Sequence, residues 1–151
     1  MAKVTMEQIK KLRGETQAGV MEAKQALEES GGKMQQAKAW LVKRGLDKAA
    51  KKADRETSEG LVEAYVHTNG KVAALVKLTC ETDFVARTEE FKTLARELTM
   101  QVASMDPKDV DELLNQGYIR DTGKKVEALI KETIAKVGEN IKVTEIKRLA
   151  I

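Results

Sequence analysis

The chain has one cysteine, one histidine and one proline among its 151 residues, 3% aromatics, and no long uninterrupted apolar run. Each scarcity removes a class of function. A lone Cys80 can form neither an internal disulfide nor a thiolate zinc site, and its apolar setting reads as a small buried side chain in a reducing compartment. A membrane-spanning helix needs about 18 consecutive apolar residues, and the charged N-terminus has no apolar signal-like core, so a cytoplasmic protein is expected. With a single histidine and a single cysteine, nucleophile and base chemistry reduces to His67 and Cys80 meeting across a hairpin, with no oxyanion hole and no third group to orient them. His67 is read instead as an exposed polar residue near a turn. No GxxxxGK[ST], no GxGxxG after a strand and no carboxylate-rich calcium loop is present, so no catalytic residue, metal ligand or cofactor is assigned, and any nucleotide is expected on a partner.

What the chain does have is charge, unevenly spread. Lys and Arg number 27 against 24 Asp and Glu, a formal +3 that is too mild to argue for nucleic acid. Residues 1 to 55 hold 13 basic and 7 acidic side chains, so a basic head is joined to a slightly acidic body. The segment Asp47 to Glu56, rich in Lys and Ala, reads as a solvated helical connector, and the domain boundary is placed there: 1–46 a three-helix bundle, 47–58 the connector, 59–151 a core domain.

Before the connector, apolar spacing predicts three short helices. Thr5 caps the first, with Met6, Ile9 and Leu12 on one face and an end near Gly14. Val20, Ala23 and Leu27 mark the second, ended by Gly31-Gly32; Met34, Ala37, Trp40 and Leu41 mark the third, closed by Gly45. A bundle of roughly 45 residues has a marginal core of its own. Beyond Gly60 the period changes. Leu61 to Val66 and Val72 to Leu78 flank Asn69-Gly70, which predicts an antiparallel hairpin with a type I′ turn. Phe91, Leu94, Ala95, Leu98 and Val102 predict a long helix ended at Asp106-Pro107. Val110, Leu113 and Leu114 predict a short helix, and Val126 to Val137 another, ended at Gly138. Ile141 to Ile146 reads as a last strand pairing with the hairpin. The fold class expected is therefore α+β, a core of antiparallel strands packed with helices behind an N-terminal bundle.

One segment fits two descriptions. Thr82-Asp83-Phe84-Val85, between the hairpin and the long helix, can be a helix cap with Phe84 stapled back onto Phe91 or Leu94. It can equally be a projecting tip in which a large apolar side chain stands beside a carboxylate.

At this segment the sequence resembles a known family. Cys80-Glu81-Thr82-Asp83-Phe84-Val85-Ala86-Arg87 looks like the signature loop of elongation factor Ts. Leu12 to Leu27 is similar to that family's N-terminal signature, Ala49 to Ala53 to its connector, and Val137-Gly138-Glu139-Asn140-Ile141 to the turn before its last core strand. The resemblance implies an N-terminal module like ubiquitin-associated domains that docks on the guanine-nucleotide domain of elongation factor Tu through Arg13, Val20 and Met21. It implies that Thr82, Asp83, Phe84 and Val85 intrude near that partner's magnesium site, and that guanine nucleotide is exchanged without covalent chemistry. Gln17 stands where the family commonly has Gly and Val20 where it commonly has Met. Only Asp106 to Gly123 fills the place of the family's second core subdomain or dimer-forming segment, so a monomer apart from the partner complex is expected. Two rival readings need no family: an interaction module gripping an acidic partner, and RNA binding through Lys48, Lys51, Lys52 and Arg55.

Overall fold

The computed structural model describes residues 3–151; Met1 and Ala2, the start of the expected bundle, lie outside them. The chain divides into two compact units, one up to Lys48 and one from Ala49 onward. Among the described residues no helix is long and apolar enough to cross a membrane.

The first unit holds α1 (Met6–Thr16), α2 (Val20–Glu29) and most of α3 (Met34–Lys51). Thr5 caps α1 with a reciprocal capping box, its side chain accepting from the Gln8 backbone N–H while the Gln8 side chain accepts from Thr5. The helix passes Gly14 and ends at Thr16, where Gln17 takes the left-handed conformation at φ 58°. Gln17 thus occupies the backbone position that a glycine would fill without a Cβ penalty. Ile9 and Leu12 are buried on α1, but Met6 is 65% exposed and is not part of the expected apolar face. The core is built from Ile9, Leu12, Ala23, Ala26, Leu27 and Ala37, and α2 ends where the Gly32 N–H donates to the Leu27 carbonyl at 2.8 Å.

Gly45 does not close α3, which runs on to Lys51. A single glycine inside a helix costs about 1 kcal/mol, and the good helix formers on either side offset it. The expected connector is therefore helical only in its first half. It is also not wholly solvated, because Ala49 is buried in the core of the second unit.

The second unit is α+β. β1 (Glu59–Val66) and β2 (Val72–Cys80) form an antiparallel hairpin, and β5 (Ile141–Ala150) pairs antiparallel with the far side of β2, giving the order β1-β2-β5. Along β2, alternate residues Ala74, Val76, Leu78 and Cys80 are buried. They meet α5 (Glu89–Met105), which contributes Phe91, Leu94, Ala95, Leu98 and Val102. The one-turn helix α4 (Asp83–Ala86) links β2 to α5, and α6 (Val110–Asn115) and α7 (Val126–Val137) complete the layer. Asp106 ends α5 in the left-handed conformation and Gly138 does the same for α7.

Three details depart from the sequence reading. The hairpin turn is not type I′: the Gly70 N–H donates to the His67 carbonyl at 2.8 Å, and of the two central residues of that expected turn only Gly70 has positive φ. A type I′ turn needs both. Asn69 instead accepts from the Lys71 backbone N–H at 2.9 Å and stabilises a longer loop. Secondly, the pairing of β2 with β5 shifts between Lys77 and Leu78, where Glu145 and Val143 are the partners and Thr144 is left over. This bulge switches the face of β5, so Ile141 and Val143 before it and Ile146 after it all pack on the core. Thirdly, a small hairpin of β3 (Gly117–Tyr118) and β4 (Asp121–Lys125) was not expected. It is held by Gln101, fully buried on α5, whose side-chain amide donates to the Gly117 carbonyl and accepts from the Ile119 N–H.

Gly60 sits on β1 at φ 150°, and a Cβ there would lie 2.1 Å from the Leu78 carbonyl oxygen. Gly60→Ala should lower stability by about 2 kcal/mol or more, whereas Gln17→Gly should leave it unchanged or raise it by up to about 1 kcal/mol. Urea denaturation of the two variants measures both.

Candidate functional site

The tip starts from a conflict between burial and exposure within four residues. Val85 is buried and fixes α4 to the core, while Phe84, next to it, is 77% exposed. A one-turn helix can do this because successive side chains point about 100° apart. Thr82 caps α4, its hydroxyl accepting from the Val85 N–H, and Thr88 rather than Thr82 or Asp83 caps α5, accepting from the Phe91 N–H. The staple is thus overturned: Phe91 is buried without Phe84, which stands out in solvent. Asp83 lies beside it, its carboxylate accepting from the Arg87 guanidinium at 2.8 Å.

Behind the tip, two turns hold each other. The Glu139 carboxylate accepts from the Thr82 backbone N–H at 3.0 Å and from the Thr82 hydroxyl at 2.7 Å. In the other direction the Glu81 carboxylate accepts from the Asn140 N–H at 2.8 Å. The buried Asn140 side chain then donates to the carbonyls of Ala53 and Arg55, at 3.3 and 2.7 Å, tying down the chain as it leaves α3. Arg55 also approaches Glu81 at 3.5 Å. No local periodicity signals this clasp, since its partners are 57 and 59 residues apart. The only sequence trace is an acidic residue in each of the two turns that flank the central strands.

Cys80 and His67 lie at opposite ends of the hairpin, since Cys80 pairs with Glu59 while His67 adjoins the turn. Eight residues of strand separate them by about 25 Å. His67 is exposed and hydrogen-bonds the Tyr65 hydroxyl through Nδ1 at 3.0 Å. The Cys80 thiol is buried, donates to the Thr82 carbonyl at 3.1 Å, and is pushed up to about 11, first by desolvation and then by the nearby Glu139 carboxylate. Among the described residues no three His, Cys, Asp or Glu side chains converge as a metal site.

In the first unit, Met21 is 73% and Val20 45% exposed at the start of α2. Arg13 is exposed on α1 and donates from Nε to the Ala18 carbonyl at 3.3 Å, bracing the turn that leads into α2. Met21 borders an open cleft whose other wall carries Arg44 and Lys48, both approaching Glu22. Basic side chains along the connector are partly engaged with carboxylates in this way and do not form a continuous unpaired stripe.

Both sets of candidate residues present apolar side chains to solvent, Phe84 in one and Val20 and Met21 in the other. Comparison with known proteins identifies the family. The sequence profile of the family described as Elongation factor TS matches residues 81–151. Elongation factor Ts of Oleidesulfovibrio alaskensis is 40% identical over 188 aligned positions that cover 95% of each chain. The Aquifex aeolicus protein of that name is 48% identical over 146 positions, covering 93% of this chain and 50% of its own, and the Thermosynechococcus vestitus one is 39% identical over 197, covering 100% and 66%. The last alignment is longer than the 151 residues of this chain, so that relative carries residues this chain lacks. The chain belongs to the elongation factor Ts family, whose members are translation elongation factors.

Two outcomes follow from this geometry. Phe84→Ala should leave the unfolding midpoint nearly unchanged, while Phe91→Ala should lose about 3 to 5 kcal/mol, both read by chemical denaturation. Because the folded-state thiol titrates near 11 and the ordinary thiol near 9, the neutral thiol contributes stability at pH below 9 that is lost as pH rises toward 11. A thiol reagent at neutral pH should accordingly label Cys80 only after denaturation.

Proposed function

We propose that this chain is a guanine-nucleotide exchange factor that binds elongation factor Tu, disturbs its magnesium site and promotes release of GDP so that GTP can bind. The observation that carries the reading is the unpartnered Phe84 beside an ion-paired Asp83 on a tip clamped from behind. A large apolar side chain in water favours burial at an interface, and full burial of such a side chain is worth about 2 to 3 kcal/mol. Inserted between side chains of the partner, Phe84 displaces the elements that hold Mg²⁺, and loss of the cation weakens the hold on the diphosphate. Asp83 meets polar groups nearby. Thr82 and Val85 act by holding the tip in place.

The first unit supplies a second contact, through Arg13, Val20 and Met21, on the guanine-nucleotide domain of the same partner. Affinity and exchange are then carried by separate parts of the chain. Exchange is a coupling between two ligands of one partner: the factor weakens nucleotide, so nucleotide equally weakens the factor, and the complex forms and dissociates reversibly. No residue of this chain need react or titrate, and no cofactor of its own is required. The protein acts in the cytoplasm, as a monomer apart from the complex.

The test is release of a fluorescent GDP analogue from elongation factor Tu. The wild-type chain should accelerate release, Phe84→Ala should lose most of that acceleration while still folded, and Met21→Ala should mainly raise the concentration needed for half-maximal effect. No acceleration by the wild type, with the partner responsive to another exchange factor, would overturn the reading and leave a module that grips some other protein.

A further inference from the structure

We propose that Glu139 is a positioning residue for the tip: its carboxylate, accepting from both the backbone N–H and the hydroxyl of Thr82, fixes the orientation in which Phe84 is presented. The effect on nucleotide release rests on the exchange reading above, whereas the fixing of orientation rests on geometry alone.

The four-residue helix α4 is a single turn, and one turn of helix does not persist in water without tertiary support. Val85 is its one buried side chain, and only Ala86, half-buried, packs on the core beside it, so the apolar anchor is small. A second fixed point is needed to determine where Phe84 points. Four polar contacts bear on the tip. The Thr88 hydroxyl donates to the Val85 carbonyl at 2.7 Å, but it holds the C-terminal end of α4 and not the end that Thr82 caps. The Arg87 to Asp83 ion pair joins two residues within the tip, so it moves with the tip and cannot orient it against the core. The Cys80 thiol reaches the Thr82 carbonyl, but a thiol is a weak donor. Glu139 remains: it is charged, it comes from the turn after α7, and it accepts two hydrogen bonds at the residue that caps α4. That turn is itself held in place by the Asn140 N–H on Glu81 and by the Asn140 side chain on Ala53 and Arg55. The fixed point is therefore anchored to β2 and to the end of α3, not to the tip.

The chain has two phenylalanines, Phe84 and Phe91, one exposed and one buried. Labelling the full chain with fluorophenylalanine gives one fluorine resonance for the tip and one for the core. Glu139→Ala should shift and narrow the Phe84 resonance and leave that of Phe91 in place, and should slow GDP release at saturating factor by roughly ten-fold. In the Phe84→Ala background the same substitution should have little further effect, because Glu139 acts through Phe84. Glu139→Gln, which keeps one acceptor oxygen, should restore part of both readouts. An unchanged Phe84 resonance in Glu139→Ala overturns the proposal. If both resonances move because the core is lost, Glu139→Gln decides: a wild-type Phe84 signal overturns the proposal, and a moved Phe84 signal with Phe91 in place supports it. A wild-type chain that does not release GDP removes the exchange reading, while the fluorine spectra still decide the orientation.

Discussion

Two carboxylates facing in opposite directions across the end of a sheet hold together the two turns behind the tip of the second unit. Glu81 leaves the central strand and reaches the turn before the last strand; Glu139 leaves that turn and reaches back to the residue after Glu81. Each bond joins a charged acceptor to a backbone N–H or a hydroxyl, which is stronger than a neutral pair, and the backbone donors of Thr82 and Asn140 are both satisfied in this way. The same junction holds the chain where it enters the unit, through Asn140. Start, middle and end of the unit thus meet at one place, and α4 is built directly on it.

This arrangement explains how an apolar side chain can be kept in water. Exposed aromatic residues are normally folded back on the nearest apolar surface, as a staple would fold Phe84 onto Phe91. Here the core around Phe91 is already filled by Leu94, Leu98, Cys80 and Val85, and the cap of α5 is taken by Thr88. With Thr82 held from behind, α4 buries Val85, and Phe84 is turned outward as the geometric consequence.

Much of this was legible in the sequence. Long apolar periods marked α5 and α7, glycine and asparagine marked the hairpin, and the order of elements was readable as α+β. What failed were decisions made by distant residues. Gly45 looks like a stop, yet α3 continues because Ala49 has a core to enter. Phe84 fits a staple and a projecting tip equally well, and what decides between them is a contact between Thr82 and Glu139, 57 residues apart. The spacing of Ile141, Val143 and Ile146 breaks strict alternation, and the bulge at Thr144 is what lets all three face inward. β3 and β4 were invisible because β3 has only two residues and β4, Asp121 to Lys125, carries no apolar side chain to set a period.

The small hairpin has its own consequence. Gln101 grips it at Gly117 and Ile119, so the core is closed off before the chain reaches its tightest point at Arg120. Beyond that grip the turn reaches the body of the unit through the Arg120 side chain, which donates to Glu97 on α5 at 2.6 Å. Lengthening a loop there raises its closure entropy by only about 0.6 kcal/mol for each doubling. The fold therefore carries a point at which whole segments can be gained or lost over evolution while the layer of helices beneath stays as it is.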